Sequence, residues 1–444
     1  MQKCVRGNAS FEFQAMFFPI IVGGAILAVY QFFLNRSLWL DEASLALNII
    51  NRDFAGLARA LDYNQVAPIG FLFVEKLLVM AFGENELALR LFPLVCFLAS
   101  IPFFYLFSEK LVENHVIALM ATAIFSIAWS ILRYSSEVKQ YSTDVLFAIV
   151  IVYYLLHLKV LNNRSLVIFA VFGGIALWFS NTAIIMLFIS GVYLMYFELL
   201  RKKSFKILSI LMLWAASFSI YYFFFIHNHP TRAFMATYWG NSFLPLNPFA
   251  TKFYIFLFSS TKDIYAYLLG FGPFWFIPAT ISLSAIGFLL YQKKYIVIYF
   301  CLAPMFITLF LSAFHLYPFS RRLLLFILPQ IIIIYSIGLY NLFQLIKSKL
   351  PILPVVLLIL PVIIMFYPLY LQFTRDFDEV KDSLEYMEKN IQKDESIYIY
   401  YGSNRAFEFY EKTGAVKILN PIVEGSCHRD ENFKYDQELL NLKG

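Results

Sequence analysis

The sequence predicts an all-α polytopic membrane protein of about eleven transmembrane helices, followed by a small soluble α/β segment. Three observations carry this. Of 444 residues, 60% are hydrophobic, 19% aromatic and only 14% charged, with a mean hydropathy of +0.69, far outside the range of soluble globular chains. Apolar runs long enough to cross roughly 30 Å of hydrocarbon begin near Met16, Leu87, Val116, Thr143, Leu166, Ala183, Phe205, Phe271, Ile296, Leu323 and Pro351. After Thr374 the composition turns abruptly charged and polar, which divides the chain into a membrane unit, 1–373, and a soluble unit, 374–444.

Lys3 and Arg6 precede the first span without a small-residue cleavage site after it, so an uncleaved first helix is expected. A first outer loop, 36–86, follows. Within it the run 68–82 is short for a span and carries Glu75 and Lys76 in its middle, which predicts an amphipathic helix lying at the interface. That choice sets the orientation of everything downstream. With this run lying flat, Lys110, Arg164, Arg201-Lys202-Lys203, Lys206, Lys293-Lys294, Lys347 and Lys349 all fall in short cytoplasmic turns, as the positive-inside rule expects. Arg133, Lys139, Arg321 and Arg322 stay outside and need another reason to exist. The same face receives the turns 133–141 and 317–322, the loop 227–269 and the tail. In the tail, Val380, Leu384, Met387 and Ile391 recur at helical spacing, 396–401 alternates as a strand, 406–413 reads as helix and 415–419 as a second strand.

A net charge of +6 and a pI near 8.9 do not signal nucleic acid, because the basic residues are short clusters between apolar runs. Cys4, Cys96, Cys301 and Cys427 have neither zinc-site nor disulfide-framework spacing. The first chemical signal is the pair Asp41-Glu42, placed where the first loop leaves the membrane. Carboxylates at that depth are costly unless they face a wet cavity or a partner, which makes them functional candidates; the plainer alternative is that Asp41 caps a helix over 43–50. His227 and His229 have a spacing open to metal binding, or are ordinary loop residues. Tyr238, Trp239 and Phe243 suit sugar stacking, or an interfacial aromatic belt.

The stretches Trp39-Leu40-Asp41-Glu42, Tyr134-Ser135-Ser136-Glu137-Val138-Lys139-Gln140-Tyr141-Ser142 and Arg322-Leu323-Leu324-Leu325-Phe326-Ile327-Leu328-Pro329 resemble the C-type glycosyltransferases. Protein O-mannosyltransferases and aminoarabinose transferases of bacterial inner membranes are the familiar members. The tail stretch 397–402 with Phe409-Tyr410 is similar to the extracytoplasmic endings of such proteins. The resemblance implies a sugar donor on polyprenyl phosphate, an extracytoplasmic glycan, lipid or protein acceptor, inversion at the sugar carbon, and a site and C-terminus facing the periplasm. It implies Asp41 as general base or acceptor-orienting group, Glu42 as a catalytic neighbour or a holder of structure or a cation, Glu137 and Lys139 in contact with the donor or the catalytic Asp, with Tyr141 beside them, and Arg321 or Arg322 on the phosphate; the plainer alternatives are a solvated turn with a local ion pair for Glu137 and Lys139 and snorkelling to lipid headgroups for the arginines. No cofactor is implied, and a divalent metal is unsupported by the residues. One departure stands out. Aminoarabinose transferases carry a Lys before the Pro of the first-loop helix, where this chain has Ala67 before Pro68, so the phosphate must be held by other groups. Two rival readings are a transporter or flippase for a lipid-linked sugar and a non-catalytic scaffold; transporters place their ionisable groups near the bilayer midplane on broken helices, whereas these groups fall at the outer edge.

Overall fold

A computed structural model describes residues 2–158, 163–197, 205–227, 229–347, 353–374, 379–392, 394–428 and 433–441. The basic cluster Arg201-Lys202-Lys203, Lys349 and the predicted span start at Pro351 lie outside these residues.

The chain opens with α1 (Gln2–Phe33) and turns through Asn35, whose φ is 45°. The first outer loop then holds three helices, α2 (Leu40–Asn51), α3 (Phe54–Leu57) and α4 (Ile69–Phe82). Trp39, not Asp41, occupies the N-cap of α2, and Asp41 and Glu42 lie in its first turn, where the helix dipole favours negative charge. The N-cap alternative for Asp41 is thereby removed. Pro68 opens α4, because it cannot continue a preceding helix, and Gly83 at φ 91° ends it. The helix buries Ile69, Phe71, Leu72 and Val79, and one charge with them. Glu75 is fully buried and finds no partner for either carboxyl oxygen among the described residues, while Leu77, Met80 and Phe82 are exposed. Burial pushes the Glu75 carboxyl well above its usual range. Its neighbour Lys76 donates to the carbonyls of Ile49 and Ile50, satisfying the C-terminal end of α2.

From here the chain is a series of apolar helices: α5 (Glu86–Val112), α6 (His115–Ile127), the short α7 (Trp129–Tyr134), α8 (Tyr141–His157), α9 (Asn163–Phe179), α10 (Ala183–Leu194) and α11 (Lys206–Tyr221). Side chains of Asn85 and Asn114 cap α5 and α6 by accepting from first-turn amides. An outer excursion carries α12 (Arg232–Tyr238) and α13 (Thr251–Lys262), the latter continued by a wide helical turn over Asp263–Leu268. Then come α14 (Phe276–Tyr291), α15 (Tyr295–Ala313), a tight helical stretch Arg321–Ile327 leading into α16 (Leu328–Ile346), and α17 (Leu353–Thr374).

Among the described residues five helices are long and apolar enough to cross a bilayer, and six shorter apolar helices of 10–17 residues accompany them. These suit a multi-pass membrane protein. The span Arg321–Ile346 is 89% buried against 22% for Ile207–Ile226 and Gly272–Tyr291, so α16 is central and α11 and α14 are peripheral. Close helix approach rests on small residues. A Cβ at Gly338 of α16 would run into the carbonyl oxygen of Ile281 on α14, whereas one at Gly287 would meet nothing within 4 Å. Gly338→Val is expected to cost about 1–3 kcal/mol by overpacking, lowering the thermal midpoint in detergent, while Gly287→Ala leaves it unchanged.

The tail contains α18 (Val380–Asn390), β1 (Ile397–Ile399), α19 (Asn404–Lys412), β2 (Ile422–Glu424) and α20 (Phe433–Asn441). The strands pair in parallel, Ile397 opposite Ile422 and Ile399 opposite Glu424. The second strand therefore falls later than the expected 415–419. Val416 and Ile418 alternate inward as a strand would, but their alternation serves burial alone, and a parallel partner needs the longer crossover. The tail also lacks a core of its own. Leu384, Ile397, Ile399, Phe409 and Tyr410 form one apolar cluster with Leu38, Leu45, Ile49 and Phe71 of the first outer loop.

Candidate active site

Neighbouring residues of a helix point about 100° apart, so the acidic pair of α2 divides. Glu42 turns inward and is 1% exposed. Arg90 of α5 donates to both its oxygens, Nε to Oε1 at 2.8 Å and Nη2 to Oε2 at 2.9 Å, and the Val138 amide donates to Oε1 at 2.9 Å. Arg90 Nη1 further donates to the Arg36 carbonyl at 2.7 Å. Burial pushes the Glu42 carboxyl up and the adjoining guanidinium pulls it down. The pair thus fastens the exit of the first span, α2, α5 and the second outer turn to one another. Neither oxygen of Glu42 is left for a substrate.

Asp41 turns the other way. Its Oδ2 accepts from Arg322 Nη2 at 2.8 Å, with both side chains partly exposed. The guanidinium of Arg322 lies over the rings of Trp39, 5.3 Å away, and Trp239, 5.9 Å away, which hold its plane. Arg322 Nε and Trp39 Nε1 have no hydrogen-bond partner among the described residues. Lys139 is 7% exposed and donates from Nζ to Gln65 Oε1 at 2.7 Å. Burial holds its amine down to about 8, partly offset by the charge of Asp41. Gln65 stands two residues before Ala67, so the turn 133–141 brings the Lys139 amine to the first loop close to Ala67–Pro68 in sequence.

Glu137 is buried rather than solvated; Oε1 accepts from Arg133 Nε at 2.8 Å and Oε2 has no partner among the described residues. Tyr141 is buried edge-to-face on Tyr134, with ring centres 4.8 Å apart. Arg321 has a φ of 23°, strained for a residue with a side chain, and pairs with Asp263 at 3.2 Å while lying 5.0 Å over the ring of Tyr267. Beside these groups is a cavity of about 440 Å³, bordered by Tyr134, Trp239, Ser260, Asp263, Arg321 and Arg322. Arg322 is shared between that cavity and Asp41. Asp41, Arg322 and Lys139 therefore come together, Arg321 lines the cavity beside Arg322, and Glu42 is turned away to Arg90. Elsewhere on the outer loop, His229 Nδ1 faces Thr231 Oγ1 at 2.6 Å.

No family model matches this chain, and no curated protein matches it either. Solved structures do. ArnT from Cupriavidus metallidurans bound to undecaprenyl phosphate superposes with a TM-score of 0.54 at 13% identity, over 96% of this chain and 88% of that one, and its apo state gives 0.53. The Archaeoglobus fulgidus oligosaccharyltransferase in complex with zinc and sulfate gives 0.52 at 12% identity, over 90% of this chain but only 62% of that one. The chain has the C-type glycosyltransferase fold.

Within this C-type fold, some of what surrounds Asp41 escaped the sequence. Arg90 is the clearest case, and it did leave a signal, a lone charge inside an apolar run that has to find a partner. Gln65 and Asp263 left none. They are ordinary polar loop residues until the fold brings Gln65 to Lys139 and Asp263 to Arg321.

Proposed function

We propose that this protein is a membrane glycosyltransferase that moves a monosaccharide from a polyprenyl-phosphate donor to a hydroxyl of an extracytoplasmic glycan, lipid or protein, with inversion. The observation that carries the reading is the 2.8 Å contact between Asp41 and Arg322 at the edge of a cavity, with the buried amine of Lys139 beside it. In this reading a proton acceptor stands next to an anion holder. A fold shared with ArnT bound to undecaprenyl phosphate supports a lipid phosphate as the carrier.

In this reading the acceptor oxygen bonds to the anomeric carbon as its proton passes to Asp41. The bond from that carbon to the phosphate oxygen breaks, and its electron pair stays on the phosphate. Lys139 and Arg322 stabilise the charge so formed, in a site shielded enough for fixed cations to act strongly. Glu137 and Tyr141 border the donor, and Arg321 lines the cavity beside Arg322. We assign Glu42 to the scaffold, because both its oxygens are committed to Arg90. The site and the tail face the periplasm from a bacterial inner membrane.

Comparing cell-envelope glycans of cells with and without this protein tests the reading, the expected result being one missing monosaccharide. Lipid movement across reconstituted vesicles without sugar transfer would replace it with a flippase. Lys139 adds a pH signature. Its amine is charged below about 8 and neutral above, so affinity for undecaprenyl phosphate is expected to fall as pH rises from 7 to 9. A charge-assisted hydrogen bond is worth about 1.5–3 kcal/mol, so the fall over this range should be about five- to tenfold, limited by the roughly tenfold drop in the charged fraction. Lys139→Arg, which stays charged, should flatten the profile in a titration by calorimetry.

A further inference from the structure

We infer that the C-terminal tail is a positioning element for Asp41, acting through Tyr410; the catalytic readout of this inference rests on the function proposed above. The segment that leads into Asp41 is held from outside the membrane unit. Tyr410 of α19 is fully buried, and its hydroxyl accepts from the amide of Leu38 at 2.8 Å, three residues before Asp41. The adjoining Ser37 Oγ accepts from the amide of Lys381, at the start of α18, at 3.0 Å. Lys381 Nζ in turn meets Glu86 at 3.1 Å, at the N-terminus of α5, and lies 5.8 Å over the ring of Tyr410.

These contacts explain why the tail shares its core with the loop. Leu45, Leu47 and Ile49 of α2 are buried in the cluster to which Phe407, Phe409 and Tyr410 of α19 belong, so the tail is the other half of what keeps that helix in place. A second tie lies further along the loop, where the Tyr63 hydroxyl donates to Glu408 at 3.1 Å and the Arg405 guanidinium lies 4.0 Å over the Tyr63 ring. Glu42 and Arg90 tie α2 to α5, and the tail packs on the same helix through the shared apolar cluster. The contacts described for Arg322 and Lys139 include no tail residue, so the tail orients the base without building the anion site.

Tyr410→Phe removes one hydroxyl and keeps the ring in the core. Measured on the full-length protein in nanodiscs, it is expected to raise amide exchange at least tenfold in peptides covering 36–42, while peptides covering 328–346 keep their protection. Turnover should fall 10- to 100-fold with the KM for the lipid donor unchanged, because misplacing a reacting group by about an ångström acts on the chemical step. Ser37→Ala should give a smaller change of the same sign, and decides the matter if Tyr410→Phe does not fold. Unchanged exchange over 36–42 in both variants, or a raised donor KM with intact turnover, would overturn the inference. If the natural protein transfers no sugar, the proposed function fails while the exchange measurement still judges the tail.

Discussion

Asp41→Asn is expected to abolish sugar transfer and, at the same time, to bind undecaprenyl phosphate more tightly than the natural protein. The first effect follows from losing the proton acceptor, a role worth about 10²–10⁴-fold in rate. The second follows from the double position of Arg322, which donates to Asp41 at 2.8 Å and also borders the cavity. A carboxylate and a phosphate there compete for one guanidinium. In the proposed reaction the competition would resolve itself, because Asp41 would become neutral on taking the acceptor's proton just as the phosphate gains charge, towards about −1.5 to −2 for a monoester at neutral pH. Arg322 passes from one to the other, and the deprotonation of the acceptor is coupled to the departure of the leaving group. The Asn variant mimics the neutral state and should gain roughly tenfold in affinity for the lipid phosphate, the size of one charge-assisted contact. Normal transfer by this variant would remove Asp41 as base; weaker lipid-phosphate binding would remove the hand-over while leaving the base in question untouched.

The parts of this molecule that could be read from its sequence are those dictated by local composition. Each predicted span start within the described residues lies in or within a few residues of an apolar helix, because hydrocarbon length and backbone hydrogen bonding leave a chain of this composition few other choices. Two of the cations that fall outside the basic turns, Arg322 and Lys139, each have a partner, Asp41 and Gln65. What could not be read is long-range. Tyr410 reaches Leu38 across 372 positions, and nothing in the alternation of the tail distinguishes a self-contained core from one completed by α2. In the helix 69–82 the long-range partners are equally hidden: Glu75 is turned inward and Lys76 serves the end of another helix. The sequence divided Asp41 from Glu42 only as far as their 100° separation allowed; that Glu42 meets Arg90 of α5 and Asp41 meets Arg322 is decided by the fold.

The second large effect is expected at that arginine. Arg90→Met leaves the Glu42 carboxylate 1% exposed and without its bidentate partner, and breaking a buried pair in this way costs about 3–5 kcal/mol. The variant should melt well below the natural protein in detergent or fail to accumulate. Adding Glu42→Leu removes the stranded charge, and replacing both members of a buried pair by apolar groups is often nearly neutral. The double variant is therefore expected to regain most of the lost thermal stability. It should not regain transfer, because Glu42 Oε1 also receives the Val138 amide and Arg90 holds the Arg36 carbonyl. Those two bonds tie the turn bearing Lys139 and the segment before Asp41 to a common anchor, so losing them lets the amine and the carboxylate drift apart in an otherwise folded protein. Thermal melting and transfer assays on the same three samples separate these outcomes. Recovery of both stability and transfer in the double variant would reduce the pair to a packing device, whereas stability without transfer would make it the part of the fold that holds the base and the anion site in register.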